Sequence, residues 1–341
     1  MNGPIRATAL GVALAAIPAR ADVTLQLFAD VGVDVSHDAS RTHADFSSNH
    51  LDFFGSASRD RFSLLSEVVF EVGDNNEFAP DVERLQATYL VAEWLRISAG
   101  RFHTAIGYYN DAFHHGSVFQ LPVKRPLPVR FEDDGGIIPA HFVGVHLDGL
   151  VPLGRSLKLR YDLETANSRA PTRDGVVNAF DALDAKAVNG RLRFETPMAT
   201  GTLVLGGNFL FDHIPQTADH PELDERFFGV HGAYLGSRLS VIAEAYDVRH
   251  YGAPGVDVTT RTGFAQVGYR VFEDVTPYAL VDFVDYPDGG DPYFVDERSH
   301  VTATAGVRWL VAEAMALKAQ ASRTFGDVAE THFSGQFAFG F

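Results

Sequence analysis

The sequence predicts an all-β fold, a transmembrane antiparallel β-barrel of about 16 strands. Three observations predict it: segments in which apolar and polar residues alternate, connections that alternate between short and long, and a last segment that ends on phenylalanine. The chain has 27 Phe and 11 Tyr, yet its mean hydropathy is -0.03. Abundant aromatics at near-zero hydropathy are typical of strands with one apolar and one polar face.

Residues 1–21 have the order of a secretory signal peptide. Arg6 precedes an apolar run over residues 7–19, and Ala19-Arg20-Ala21 matches a small-x-small cleavage site. We expect cleavage after Ala21, which leaves residues 22–341 as a single barrel domain. This part contains no apolar stretch of the roughly 18 residues that a membrane helix needs.

The alternation begins directly after the expected cleavage site. Val23, Leu25 and Leu27 fall on one face, while Thr24 and Gln26 fall on the other. A period of two is that of a β-strand, and about ten tilted residues span a bilayer. Comparable segments are centred near residues 28, 54, 67, 88, 97, 145, 160, 191, 206, 231, 243, 266, 280, 304, 317 and 335.

The connections between these segments alternate in length. Short turns are expected near residues 58–61, 93–94, 152–155, 236–238, 273–276 and 311–313, with longer connections such as 37–49 between them. Barrels of bacterial outer membranes combine short periplasmic turns with longer external loops. A soluble β-sandwich also alternates in hydropathy, but it has no reason to keep its long loops at one end. The pattern therefore predicts a Gram-negative outer-membrane location with both termini in the periplasm.

The end of the chain supports the same location. Phe337, Phe339 and Phe341 alternate with smaller residues, and an aromatic last residue resembles the signal that the barrel assembly machinery reads. This machinery, outer-membrane lipids and lipopolysaccharide are the expected partners. Because an unpaired strand edge is costly in lipid, the last strand should pair with the first. The formal net charge of -16 argues against a nucleic-acid partner.

The longest connection, residues 102–139, follows the fifth predicted strand. In strand count, chain length and the position of this loop, the chain resembles the general diffusion porins. Its start, from Gly100-Arg101-Phe102 to Gly107, is also similar to a stretch in phosphate-selective porins. The resemblance implies a third external loop that folds into the lumen as a constriction, passive diffusion of small hydrophilic solutes, and a possible homotrimer. It implies no cofactor.

Charged residues of this loop and of the neighbouring strands are the candidate pore residues. The resemblance implies acidic loop side chains facing basic wall side chains, which sets up a transverse field. The constriction candidates are Lys124, Arg125, Arg130, Glu132, Asp133 and Asp134. The basic wall candidates, placed inward by strand parity, are Arg96, Lys158, Arg160, Arg191 and Arg193. Glu67, Glu71, Asp162 and Glu164 share their parity, so the predicted lumen is mixed in charge.

Other functions remain open at this point. A substrate-specific channel, for phosphate or another anion, would use a basic track, although residues 132–134 argue against a purely anionic path. An adhesin would carry longer external loops. An outer-membrane barrel enzyme would need a nucleophile with a base, and the neighbourhood of Ser117 with His114 and His115 is the only suggestive one.

Histidines in or beside the long loop raise two further alternatives. These histidines are His103, His114, His115, His141 and His146. Imidazoles near carboxylates could bind a metal or act as a pH-sensitive gate. His114 and His115 are adjacent and lack the i, i+4 spacing of a helical metal site, so polar lumen residues are the favoured interpretation.

Overall fold

The computed structural model describes residues 21–37, 42–72, 78–113, 117–131, 134–170, 186–216, 220–295, 297–326 and 329–341. Side chains of residues 47–50, 71–72 and 78–79 are also outside the description. The predicted signal peptide, apart from Ala21, and the side chain of Glu71 therefore lie outside it. Within the described ranges, no helix is long and apolar enough to cross a membrane.

Sixteen antiparallel strands form a closed barrel, in agreement with the predicted number. The strands are β1 Asp22–His37, β2 Thr42–Arg59, β3 Phe62–Val72, β4 Phe78–Ala92, β5 Leu95–His103, β6 His141–Leu153, β7 Leu157–Asn167, β8 Lys186–Met198, β9 Gly201–Ile214, β10 Leu223–Gly236, β11 Leu239–Tyr251, β12 Asp257–Tyr269, β13 Val275–Asp285, β14 His300–Ala312, β15 Met315–Gly326 and β16 Glu330–Gly340. Each predicted strand centre falls within the corresponding strand. The described helices are α1, Tyr109–Ala112, and a single 3-10 turn, Leu127–Val129.

The barrel closes between its first and last strands, as predicted. Val31 lies opposite Phe337, and Asp34 lies opposite Ser334. Leu27 and Phe341 exchange two backbone hydrogen bonds of 2.9 Å each. Each described strand therefore has two partners, the arrangement that satisfies backbone groups within a membrane.

Strand parity separates a lipid-type outer face from an inner face. In β10, Phe228 and Val230 are 51% and 63% exposed, whereas Phe227 and His231 are 0% and 4% exposed. The register places Arg96 opposite Asp148 and Arg191 opposite Asp162, on the inner face. Arg160 and Arg193 face each other on that same side. These basic wall candidates thus share one face of the sheet with Asp148 and Asp162, and their role in the pore stays a prediction.

The two ends of the barrel differ in their connections. Turns at one end span two to five residues between strands, for example 60–61, 93–94, 237–238 and 270–274. The other end carries the long connections 104–140, 168–185 and 286–299. Trp94 and Trp309 are exposed near the short-turn end, where interfacial aromatic residues are expected.

One buried apolar cluster joins the 104–140 loop to the inner face of β9–β13. The loop contributes Ile106, Tyr109, Leu127, Ile137 and Ile138. The strands contribute Leu210, Phe227, Ile242, Val248, Phe264 and Leu280, among others. Burying apolar side chains contributes about 1.5–3 kcal/mol each, so this cluster fixes the loop against that part of the wall.

Candidate functional site

The loop 104–140 leaves and rejoins the barrel through a hydrogen-bonded neck. The Thr104 amide donates to the Ala140 carbonyl at 3.0 Å, and its hydroxyl donates to the Pro139 carbonyl at 2.6 Å. Asn110 in α1 donates to both the Thr104 and Ala140 carbonyls. These groups are buried, and the hydrogen bonds satisfy backbone atoms that the ends of β5 and β6 leave open.

Inner-face side chains of five strands accept hydrogen bonds from the loop backbone. Glu244 of β11 accepts from the amides of Tyr108 and Tyr109 at 2.8 and 2.7 Å. The other acceptors are Glu164 for Ala105 at 2.9 Å, Asn208 for Gly107 at 3.3 Å, Asp282 for Leu127 at 3.4 Å and Gln320 for Val123 at 2.8 Å. The loop is therefore bonded to β7, β9, β11, β13 and β15.

Residues 117–123, the loop tip, are held by β15 and β1. The Lys318 ammonium, 4% exposed, donates to the carbonyls of Ser117 and Pro122. The Ser117 hydroxyl donates to Asp30 at 3.0 Å. Ser117 thus has structural partners on the wall, while His114 and His115, its suggested catalytic neighbours, lie outside the described residues.

A loop carboxylate meets two wall arginines at the base of the loop. Asp111 accepts from Arg191 at 3.2 Å and from Arg193 at 3.3 Å. Burial raises the pKa of Asp111, but the two guanidiniums outweigh it and hold the pKa below its usual range. The Asp111 side chain is still 48% exposed. Arg191 also binds Asp162 at 2.8 Å and the Gly107 carbonyl at 2.8 Å, which fixes its position.

The remaining wall candidates are mostly paired with carboxylates. Arg96 binds Asp148 through Nε at 2.8 Å, and its side chain is 51% exposed. Arg160 approaches Glu195 at 2.7 Å. Lys158 is exposed and lies opposite Glu195 in the register. These residues therefore give the inner face a mixed charge.

The predicted constriction residues occupy different environments. Arg125 is 8% exposed, bonds to the Val129 carbonyl at 2.5 Å and lies 4.9 Å from the Phe131 ring centre, so it holds the loop together internally. Lys124 lies 3.5 Å from Asp34 of β1, and Arg130 donates to the Arg125 carbonyl at 3.1 Å. Asp134 is exposed. Glu132 and Asp133 lie outside the described residues, and their predicted place in a constriction stays a prediction.

Sequence reasoning missed two charged residues of this site. Asp111 lies early in the loop, and only the fold brings it to β8. Arg84 of β4 bonds Glu67 at 2.7 Å and is largely buried on the inner face. Its parity with Gln86 and Thr88 was the available signal, because the register shift of β4 lies between Val82 and Arg84 and leaves the alternation from Arg84 to Thr88 intact.

A cavity of about 610 Å³ lies beside Asp111, along β2–β6. Its uncharged polar lining comprises Ser56, Ser58, Ser63, Gln86, Thr88 and Ser98. Its charged or titratable lining includes Arg84, Arg96, His103, Asp111, His146 and Asp148. Such a surface exchanges hydrogen bonds with water and with hydrophilic solutes, which is the requirement for a wet path.

Histidines next to this cavity pair with carboxylates on the wall. His141 approaches Glu83 at 2.6 Å, and His146 approaches Asp162 at 3.1 Å. The His103 and His141 rings lie 5.1 Å apart between centres. In the described ranges, no group of three or more histidine and acidic residues is arranged to hold a metal ion.

A second charged cluster links the long connections at the opposite end from the short turns. His250 of β11 lies 2.8 Å from Asp291 and 2.9 Å from Glu225, and Arg169 also bonds Glu225 at 2.8 Å. These four residues, which we call the loop clasp, are at most 3% exposed. Arg169 further donates to the Ile137 carbonyl at 3.1 Å. The clasp thus connects three long connections to β10 and β11.

Comparison with known proteins finds likeness at the level of structure. No protein-family model and no curated protein matches the chain. The anion-selective porin of Comamonas acidovorans aligns with a TM-score of 0.66 at 10% identity, covering 94% of this chain and 100% of the porin.

Two further solved structures show the same likeness. The outer-membrane channel DcaP of Acinetobacter baumannii aligns with a TM-score of 0.60 at 11% identity, over 95% of this chain and 99% of the channel. OmpT, an outer-membrane protein of Vibrio cholerae, aligns with a TM-score of 0.62 at 13% identity, over 94% of this chain and 98% of OmpT. At these identities the likeness concerns the fold. In its fold, the chain is a β-barrel of the Gram-negative outer-membrane porin type.

Proposed function

We propose that the chain is an outer-membrane porin through which small hydrophilic solutes and ions diffuse passively, with the loop 104–140 as its constriction. The observation that carries the proposal is the Asp111 carboxylate held by Arg191 and Arg193 beside a polar cavity of about 610 Å³. Fixed charges of opposite sign across a narrow passage orient dipolar solutes and screen ions. The apolar outer face and the unequal barrel ends support the outer-membrane location.

The loop contacts support its role as the constriction. Its backbone donates to Glu244, Asp282 and Gln320, which are inner-face residues of β11, β13 and β15. Bonds from a segment that starts at β5 to these distant strands support a loop that folds into the lumen. Most of the apolar cluster lies on β9–β13, and the proposed solute path follows the polar cavity along β2–β6.

Single-channel conductance in a planar bilayer with a salt gradient tests the proposal. We expect steady openings of hundreds of picosiemens, roughly the range of water-filled barrels of this size, with modest selectivity. Asp111→Asn should shift the reversal potential towards anions, because two wall arginines lose their counter-charge. The matched control is Asp288→Asn, an exposed acid on an external connection, which should leave the reversal potential unchanged. Silence of the refolded protein overturns the proposal.

A triple variant tests the acidic segment 132–134, which the sequence predicts to lie in the constriction. Glu132→Gln, Asp133→Asn and Asp134→Asn together should shift the reversal potential if this segment lines the constriction. An unchanged potential in the triple variant, together with a shift in Asp111→Asn, assigns the constriction charge to Asp111 alone.

A substrate-specific anion channel is the second candidate. The observation that favours it is a track of inner-face arginines on neighbouring strands: Arg84, Arg96, Arg160, Arg191 and Arg193. The fold likeness to an anion-selective porin adds to it. Glu67, Asp148, Asp162 and Glu195 pair with all five of these arginines, so their net field is small. A reversal potential near the anion limit would favour this second function.

Processing and assembly complete the proposal. We expect cleavage after Ala21, insertion by the barrel assembly machinery through the strand ending in Phe341, and a homotrimer. One aligned structure, of OmpT, is described as a trimer form. Asp22 should be the first residue of protein purified from membranes, and cross-linking in native membranes that returns only monomers contradicts the trimer. The proposal assigns no chemical reaction and no cofactor to the chain.

A further inference from the structure

A row of cations lies at the short-turn end of the barrel, along β11–β15. Arg308 of β14 and Lys318 of β15 are direct register partners, and Thr276 of β13 lies opposite Arg308. Arg270 and Arg238, next to the ends of β12 and β11, continue the row, since the Arg270 amide donates to the Arg238 carbonyl at 2.8 Å. We call Arg238, Arg270, Arg308 and Lys318 the basic row.

The basic row concentrates positive charge without carboxylate partners. Among the residues that the structure describes, none of its four members forms an ion pair with an Asp or a Glu. Arg308 and Lys318 repel each other directly across their strands, and the charges of Arg270 and Arg308 also repel. The whole chain has a formal net charge of -16, so the row is a local reversal of sign. An anion bound there would relieve the repulsion.

The loop tip, residues 117–123, satisfies only part of the row. Lys318 and Arg308 donate to backbone carbonyls of the loop tip, which are acceptors without a net charge. The Arg308 Nε–H is buried and has no acceptor in the described part of the chain. Arg238 and Arg270 are exposed. The row therefore keeps donors and charge for a ligand that reaches it from this end of the barrel.

The nearest acids do not neutralise the basic row. Asp30 attracts Lys318 without forming an ion pair with it, and Asp274 accepts a hydrogen bond from the Trp309 indole at 2.7 Å. Glu273 is exposed on the turn between β12 and β13. The cavity along β2–β6 belongs to the other half of the wall, so the row is separate from the proposed solute path.

We propose that the basic row binds a soluble anion that carries a diphosphate group, at the periplasmic mouth of the barrel. Guanidinium groups bind phosphate oxygens through paired hydrogen bonds, so Arg238 and Arg270 would hold one phosphate group and Arg308 the other. These arginines start about 14 Å apart across β11–β14, at roughly 4.8 Å per strand, a span that suits two linked phosphates better than one. The periplasmic side follows from the orientation in the proposed function, whereas binding needs only the folded barrel.

Isothermal titration calorimetry of the folded full chain in detergent, at fixed ionic strength, tests the site with pyrophosphate as the probe. The wild type should bind pyrophosphate saturably and more tightly than orthophosphate. Arg238→Gln with Arg270→Gln should weaken binding about tenfold, the effect of losing one or two charge-assisted hydrogen bonds. The matched control is Arg59→Gln with Arg155→Gln, exposed arginines at the β2–β3 and β6–β7 turns of the same end, and it should bind as the wild type does.

Three results overturn the site. Equal binding of pyrophosphate and orthophosphate by the wild type does so without any variant, which covers the case that a variant fails to fold. Equal loss in the test pair and the control pair does so because it shows non-specific charge attraction. Equal affinity for citrate, a carboxylate anion of high charge, overturns the assignment to a diphosphate.

Conductance of the same samples separates this proposal from the porin function. A conducting barrel that does not bind pyrophosphate overturns the basic row alone. A silent barrel that binds pyrophosphate contradicts the porin function and leaves the basic row intact.

Discussion

His250 lies between two carboxylates, with Nδ1 2.8 Å from Asp291 and Nε2 2.9 Å from Glu225. An ionised carboxylate only accepts hydrogen bonds, so both ring nitrogens donate and the ring is an imidazolium. Arg169 places a second cation on Glu225. The loop clasp is thus a row of four alternating charges with almost no water contact. Such rows stabilise only when complete, because each member removed leaves a buried charge unpaired.

Asp291→Asn should open the loop clasp. Burial raises the pKa of Asp291, but the hydrogen bond and charge of His250, together with the hydrogen bonds from Tyr293 and Thr260, outweigh this and lower the pKa. The stabilisation is therefore present above the usual carboxyl pKa and is lost as pH falls through the lowered value. At neutral pH we expect a loss of about 3–5 kcal/mol, as for a broken buried pair. Faster hydrogen exchange in residues 286–295 is the measurement.

Asp288→Asn is the control for the loop clasp, because Asp288 is exposed in the same connection. Its exchange rates should equal those of the wild type. Equal acceleration in both variants would mean that general charge on this connection, rather than the bond to His250, orders it.

Lys318→Met should loosen the loop tip. The methionine keeps the apolar stem but donates no hydrogen bond, so the carbonyls of Ser117 and Pro122 lose their donor. We expect the amide of Val123, which donates to Gln320, to exchange at least about tenfold faster, and single-channel current noise to increase. Lys158→Met, on the exposed Lys158 of the same inner face, should change neither. Unchanged protection in Lys318→Met contradicts this role.

The contribution of Asp111 to ion selectivity should stay constant as pH falls from 7 to about 4. Because Arg191 and Arg193 hold the pKa of Asp111 below its usual value of about 3.9, the carboxylate stays charged as pH falls from 7 to about 4. The difference in reversal potential between the wild type and Asp111→Asn should be constant over that range and shrink only below it. A pH series of both proteins measures this. A difference that disappears between about pH 5 and 7 would contradict the lowered pKa of Asp111.

Gly100→Ala should disturb the pairing of β4 with β5. Gly100 has a φ of +127°, and an added Cβ would lie 2.0 Å from the Leu85 carbonyl oxygen. The strained backbone alone costs about 1–3 kcal/mol, and the steric overlap adds to it. We expect a lower yield of folded barrel, measured as the heat-modifiable band in electrophoresis. Gly55→Ala, whose Cβ would meet Leu25 at an ordinary 3.4 Å, should fold like the wild type.

The sequence was sufficient for the barrel because its strands repeat a strong period of two with short turns between them. Sixteen centres, the closing pair of β1 and β16, and the inward direction of Arg96 and Arg191 follow from parity and from the need to pair strand edges. The site could not be predicted to the same depth. Asp111 reaches Arg193 across 82 residues of chain, and no periodicity within a loop encodes that distance.

Arg125 illustrates the same limit. From the sequence alone, a cation beside an acidic loop segment is predicted to be a pore residue. Its partners, the Val129 carbonyl and the Phe131 ring, depend on a loop conformation set by apolar packing against distant strands. Loop interiors carry such arginines as internal supports, and only three-dimensional contacts distinguish them from residues that face solutes.

The apolar cluster that packs the loop against β9–β13 divides the barrel wall into two halves with different tolerance to change. In the half around Phe227, Ile242 and Phe264, a polar substitution lowers the stability of the fold first, because it disturbs packing with the loop. In the half around Ser56, Thr88 and Ser98, side chains face the cavity, and in the proposed porin a substitution there would change solute passage before it changed stability. Transport specificity of the proposed porin can therefore diversify along β2–β6 while the opposite half stays fixed as scaffold.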